Sequence, residues 1–154
     1  MDYKSAQETL GARKSKKLQN NTYLVHGEKE SFAVRLHDTE VLTFFPDGSI
    51  ILNTDGWLTL TTKDRMNTYL PKGYRILQEK RVWYLAFFDG KTWIRHCVYQ
   101  DDMQLVPIKL PGRKSCYTVQ GGLPLDNLTG APMSSPKSQR ARGGWGAFYS
   151  ETHA

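Results

Sequence analysis

Val41-Leu42-Thr43-Phe44-Phe45-Pro46-Asp47-Gly48-Ser49-Ile50-Ile51-Leu52-Asn53 is the stretch that decides the fold class. Two short apolar runs flank Pro46-Asp47-Gly48. Proline presets the first turn position, aspartate suits the second, and glycine accepts positive φ. Together they specify a three-residue hairpin with a bulge at Gly48. Upstream, Phe32, Val34 and Leu36 alternate with Ala33, Arg35 and His37, the period of a half-buried strand. Downstream, Tyr74 to Gln78 and Val82 to Phe88 bracket Glu79-Lys80-Arg81, and Phe88 and Lys91 bracket Asp89-Gly90, a two-residue hairpin signal. Counting outward from that turn places Ala86 opposite Trp93, Tyr84 opposite Arg95 and Val82 opposite Cys97.

Between these β-rich segments the period changes. Thr54-Asp55-Gly56 reads as a turn and Trp57-Leu58-Thr59-Leu60 as a short strand. Thr61 then suits an N-cap, with Asp64 three residues on, and Met66, Tyr69 and Leu70 share one helical face until Pro71-Lys72-Gly73 stops it. The expected architecture is α+β: an antiparallel sheet of hairpins with one short helix on a face, spanning about 20–110. Residues 1–19 are expected to form a basic flexible arm. Residues 111–154, with seven glycines and four prolines, are expected to form a Gly/Pro-rich basic tail, disordered or extended.

The net charge of +6 is concentrated at the two ends. In 1–20, Lys4, Arg13, Lys14, Lys16 and Lys17 face only Asp2 and Glu8; in 111–154, Arg113, Lys114, Lys137, Arg140 and Arg142 face only Asp126 and Glu151. Eleven cations and eleven carboxylates balance in 21–110. Basic ends on a neutral core suit a partner rich in phosphate or carboxylate, and equally suit solubility. Arg13, Lys14, Lys16, Lys17, Arg113, Lys114, Arg140 and Arg142 are therefore the candidate nucleic-acid-binding residues. Arg140-Ala141-Arg142-Gly143-Gly144-Trp145 resembles a nucleic-acid-binding tail, while Trp145, Phe148 and Tyr149 could instead anchor the tail on a protein.

Other constellations are weaker. Thr61, Thr62 and Arg65 at a helix N-terminus form a possible anion pocket, although Asp64 would repel the anion. Trp57, Trp83, Trp93, Tyr84, Phe87 and Phe88 could stack on bases, but at strand period such residues more often fill a core. His37 and Asp38 would point to opposite faces of a strand, and Asp101-Asp102 lacks a third carboxylate at useful spacing. Cys97 and Cys116 match no metal-ligand spacing and are expected to be reduced. No catalytic residue, metal or cofactor is assigned. The sequence has no phosphate loop, His-Glu-x-x-His or Gly-x-Ser-x-Gly motif. No apolar run reaches the ~18 residues of a membrane helix, and Met1 to Asn20 has no apolar h-region, so no membrane partner and no secretory signal are expected.

The segments Asn20-Asn21-Thr22-Tyr23-Leu24, Val34-Arg35-Leu36-His37-Asp38-Thr39, Pro46-Asp47-Gly48-Ser49, Gly56-Trp57 and Thr61-Thr62-Lys63-Asp64-Arg65-Met66-Asn67 resemble a group of small bacteriophage and mobile-element proteins. The resemblance covers about 20–95. It implies a viral or mobile-element origin and transfers no catalytic residue. The expected function is that of a non-enzymatic phage accessory protein binding nucleic acid or a nucleoprotein through its basic arms. A protein-binding role, as virion component or inhibitor of a host protein, is the alternative, and an enzyme is the third class. The expected location is the host cytoplasm, or the virion; the oligomeric state is not legible.

Overall fold

The computed structural model describes residues 1–108 and 116–125. In chain order the elements are α1 (Tyr3–Leu10), β1 (Ser15–Gln19), β2 (Thr22–His26), β3 (Phe32–Leu36), β4 (Thr39–Phe44) and β5 (Ile50–Leu52). There follow α2 (Leu60–Tyr69), β6 (Tyr74–Glu79), β7 (Val82–Phe88), β8 (Trp93–Val98), β9 (Gln104–Ile108) and β10 (Cys116–Gln120). The fold class is α+β, with antiparallel sheets predominant. The chain divides into two compact units, and the second is an excursion of the chain from within the first.

The first unit, Met1–Asn53 with Asp102–Gly121, is a seven-stranded sheet in the order β1-β2-β3-β4-β5-β9-β10. Leu24, Val34, Leu42 and Leu52 lie in register across β2 to β5, and all four are buried. Phe32, Phe44, Ile50 and Leu105 form a second buried row on the same face. The Pro46-Asp47-Gly48 hairpin forms as expected. The Gly48 N–H donates to the Phe45 carbonyl at 2.9 Å, and Gly48 takes φ 91°. The Ser49 hydroxyl and N–H both donate to Asp47 and hold its carboxyl below the usual carboxylate range.

Both expected ends need correction. Residues 1–19 are not an arm in the described structure but form α1 and β1. Asp2 accepts from the Ser5 N–H at 2.8 Å while the Asp2 N–H donates to Ser5 Oγ at 2.9 Å, a reciprocal cap that starts a short helix. Ala6 and Leu10, four residues apart, are buried, and the Tyr3 ring lies 5.2 Å from Phe32. At the other end, 116–120 is a strand paired with β9, so structure continues past the boundary at 110. The remainder of the expected tail, 111–115 and 126–154, lies outside the described residues.

The second unit, Thr54–Asp101 with a segment from Gly122, carries the three-stranded sheet β6-β7-β8. Its two ends meet at one carboxylate. Asp101 accepts from the Thr54 N–H at 2.8 Å, the Thr54 hydroxyl at 2.9 Å and the Tyr99 hydroxyl at 2.6 Å. The core gathers Leu58, Met66, Leu70, Ile76, Trp83, Leu85 and Tyr99. Trp57–Leu60 is not a strand, and the cap is Thr59 rather than Thr61: its hydroxyl accepts from the Thr62 N–H, and Thr62, Met66 and Leu70 form the buried face. Asn67 donates to the Ile76 carbonyl at 3.1 Å and accepts from the Ile76 N–H at 2.6 Å, docking α2 on β6.

The β7–β8 register also differs from the expectation. Asp89 Oδ1 accepts from the Lys91 and Thr92 N–H groups, which widens the loop to four residues and pairs Phe88 with Trp93. Ala86 then meets Arg95, and a bulge at His96 brings Leu85 opposite Cys97 and Tyr84 opposite Val98. Gly122 lies against Cys97, where a Cβ would collide with the sulfur, and Leu123 bridges to Val98.

Two outcomes follow from these interactions. Thr54→Val deletes one hydroxyl from the Asp101 cluster and should cost about 1–3 kcal/mol in denaturant unfolding; an unchanged midpoint would show that the cluster contributes nothing. Asp2→Ala should cost about 1 kcal/mol at neutral pH. The Ser5 N–H lowers the Asp2 pKa in the folded state, so the carboxylate's contribution is full above its unfolded pKa and fades as pH falls through the lowered folded value. Wild type and variant should therefore converge in acid, and a difference that persists there would contradict the cap.

Candidate nucleic-acid interface

The four N-terminal candidates are presented by ordered elements. Arg13 and Lys14 are exposed on the turn between α1 and β1. Lys16 and Lys17 follow on β1, half-buried and exposed respectively, and β1 is an edge of the seven-stranded sheet. Lysines on an edge strand also discourage strand addition by another chain. Arg113, Lys114, Arg140, Arg142, Trp145, Phe148 and Tyr149 lie outside the described residues.

Thr61, Thr62 and Arg65 do not converge. Thr62 is buried, its N–H given to Thr59 and its hydroxyl 3.0 Å from that of Thr59; Thr61 is exposed; Arg65 pairs with Asp64. His37 and Asp38 form the two-residue turn between β3 and β4, with His37 at φ 53°. Asp101 is occupied as the clamp described above. Both cysteines are free, and burial pushes the Cys97 thiol up to about 11, which keeps it from acting as a thiolate. Among the described residues no group of three or more His, Cys, Asp or Glu is placed to hold a metal ion.

The aromatic set divides cleanly. Trp83 and Tyr84 are core, and Phe87 is half-buried. Phe88 is 44% exposed, and its ring lies 5.4 Å from that of Trp93, its cross-strand neighbour. On the same face the Arg75 guanidinium sits 5.2 Å from the Trp93 ring centroid, and Arg95 sits 4.9 Å from that of Tyr84. Arg95 Nη1 also pairs with Glu79 at 3.2 Å. Two cations thus stack on aromatic faces, and the Arg75 Nε is buried with no hydrogen-bond partner among the described residues.

Whole-chain counting hides the arginines. Residues 54–101 hold eight cations (Lys63, Arg65, Lys72, Arg75, Lys80, Arg81, Lys91, Arg95) against Asp55, Asp64, Glu79, Asp89 and Asp101. Residues 1–53 with 102–108 hold seven cations against eight carboxylates. The balance in 21–110 therefore averages a positive unit with a negative segment, and a count divided at Asn53 finds the difference.

Lys80 and Arg81 occupy a two-residue turn with Glu79 paired to Val82, both at positive φ (50° and 68°). That is a type I′ geometry, which favours Asn-Gly. A long cationic side chain in the left-handed region costs roughly 1 kcal/mol or more per residue.

The fold defines a small protein built mainly of antiparallel sheet. No helix among the described residues is long and apolar enough to cross a membrane. A family model, Kyanoviridae Gp96 protein, matches residues 3–105. The chain belongs to this bacteriophage family, in agreement with the sequence resemblance, and the match also takes in α1 and β1. No curated protein and no solved structure matches the chain.

The double variant Lys80→Asn/Arg81→Gly should raise the melting temperature, because the new residues suit the left-handed turn. A lowered melting temperature would show that Lys80 and Arg81 hold the sheet together through their side chains.

Proposed function

We propose that this phage protein is a non-enzymatic accessory protein that binds nucleic acid, alone or within a nucleoprotein complex. The observation that supports this most is the ordered presentation of Arg13, Lys14, Lys16 and Lys17 on one turn and the strand that follows it. Cations held on a scaffold lose less freedom on meeting a phosphate backbone than cations on a loose arm. Contacts of this kind position a nucleic acid without reading its sequence.

A second reading draws on Trp57 and Leu60, 44% and 46% exposed at the start of α2. Exposed large apolar side chains close together in sequence suit docking on a virion or host protein. Under that reading the β1 lysines serve as edge protection.

Salt dependence separates the two. If the cations hold phosphates, the logarithm of the affinity falls linearly with the logarithm of salt, by about 0.9 per duplex phosphate or about 0.7 per single-strand phosphate. Replacing Arg13, Lys14, Lys16 and Lys17 with glutamine should flatten that slope by about one unit for each phosphate no longer held, with the melting temperature nearly unchanged. Wild-type protein that ignores both DNA and RNA at low salt would rule the nucleic-acid reading out and leave protein docking.

A further inference from the structure

The geometry points to single-stranded nucleic acid as the ligand of the three-stranded sheet, with an unpaired base stacked on the Phe88–Trp93 pair and the adjoining phosphate met by Arg75. This inference rests on the nucleic-acid reading above and narrows it to a strand type and a second contact surface.

Three observations converge on that face. Phe88 is 44% exposed although it ends the central strand of the sheet, and its ring is braced by Trp93 at 5.4 Å. A braced aromatic on a strand is a preorganised platform, since little side-chain freedom remains to be lost on binding. The carboxylate next to Phe88 in sequence, Asp89, accepts from the Thr92 and Lys91 N–H groups of its own loop. Arg95 is matched by Glu79 at 3.2 Å, whereas Arg75 lies on the Trp93 ring and Lys91 is exposed in the adjoining loop. Finally, residues 54–101 as a whole carry eight cations against five carboxylates, complementary to a polyanion.

The strand type follows from the platform. In a duplex each base is covered above and below by its neighbours, so a flat aromatic at the protein surface stacks only on a base that is already unpaired. Any of the four bases presents a π-face, so such a site tolerates sequence. An apolar protein partner would also cover Phe88, but it gains nothing from a guanidinium beside the ring and is not drawn by an excess of positive charge.

The test uses the full chain with a fluorescently labelled oligothymidylate, a duplex of the same length, and the variants Phe88→Ala and Phe88→Leu. Leucine keeps the apolar volume and removes the π-face, so the fold persists and an apolar docking surface would tolerate it. We expect wild type to favour the single strand. Both variants should weaken single-strand binding about tenfold. The salt slope and the residual duplex affinity should be unchanged, since stacking releases no counterions. Equal affinity of wild type for single strand and duplex, or wild-type binding by Phe88→Leu, would overturn the inference. If the slope still flattens when the four N-terminal cations are removed, the nucleic-acid reading survives that failure. Wild type that binds neither oligonucleotide but captures a protein partner overturns both.

Discussion

The Asp101 carboxylate carries the constraint on which the second unit depends. The chain leaves the seven-stranded sheet after β5 and returns as β9 beside β5, so the two ends of the excursion must close. On the sheet side, Leu52 and Met103 share a hydrogen bond at 3.0 Å, and the Asp102 N–H donates to the Leu52 carbonyl at 2.8 Å. On the excursion side, Thr54 and Tyr99 converge on Asp101. Thr54 is fully buried, so its N–H and hydroxyl would each be costly to leave unmade. A single acceptor satisfies both, and its charge strengthens each bond.

With its ends closed, the excursion has only three strands, and a three-stranded sheet has two edges to cover. Each is covered differently. Asn67 reaches the N–H and the carbonyl of Ile76 from α2, doing with one side chain what a further strand would do with its backbone. Along β8, Val98 exchanges two hydrogen bonds with Leu123, and only a glycine at 122 lets the backbone pass so close to Cys97. The covered edges turn attention to the faces. One is filled by Ile76, Trp83, Leu85 and Cys97, while the other ends in the Phe88–Trp93 pair.

How much of this was legible depended on whether the deciding chemistry was local. Pro46-Asp47-Gly48 presets every dihedral of its own turn, so the hairpin could be read directly. Asp89-Gly90 misled because Asp89 does more than tolerate a turn. Its carboxylate takes the N–H groups of Lys91 and Thr92, which hold it below the usual carboxylate range and lengthen the loop. The Lys80-Arg81 turn was invisible for the opposite reason, since neither residue favours positive φ. Helix α1 rests on just two buried residues and a reciprocal cap, too little periodicity to stand out among polar neighbours. Of the candidate site, the four N-terminal cations could be named from the text. Arg75 could not, because its relation to Trp93 exists only through the pairing of β6, β7 and β8.

The turn at Lys80-Arg81 bears on what the excursion is for. Local preference, turn type and register agree at Pro46-Asp47-Gly48, and at Lys80-Arg81 they conflict. Strain of that kind persists where something other than stability favours the residues that cause it. Both residues are exposed cations, at the opposite end of β7 from Phe88. Same-face positions on a strand recur every ~6.8 Å. Arg75 and Arg95 flank Ala86, toward the Phe88 end of β7, and the strained cations stand at the other end. The same placement gives an apolar partner no advantage, because the two cations would have to be stripped of water to lie against it. On the proposed reading, the strained turn and the braced aromatic pair serve the same polyanionic strand.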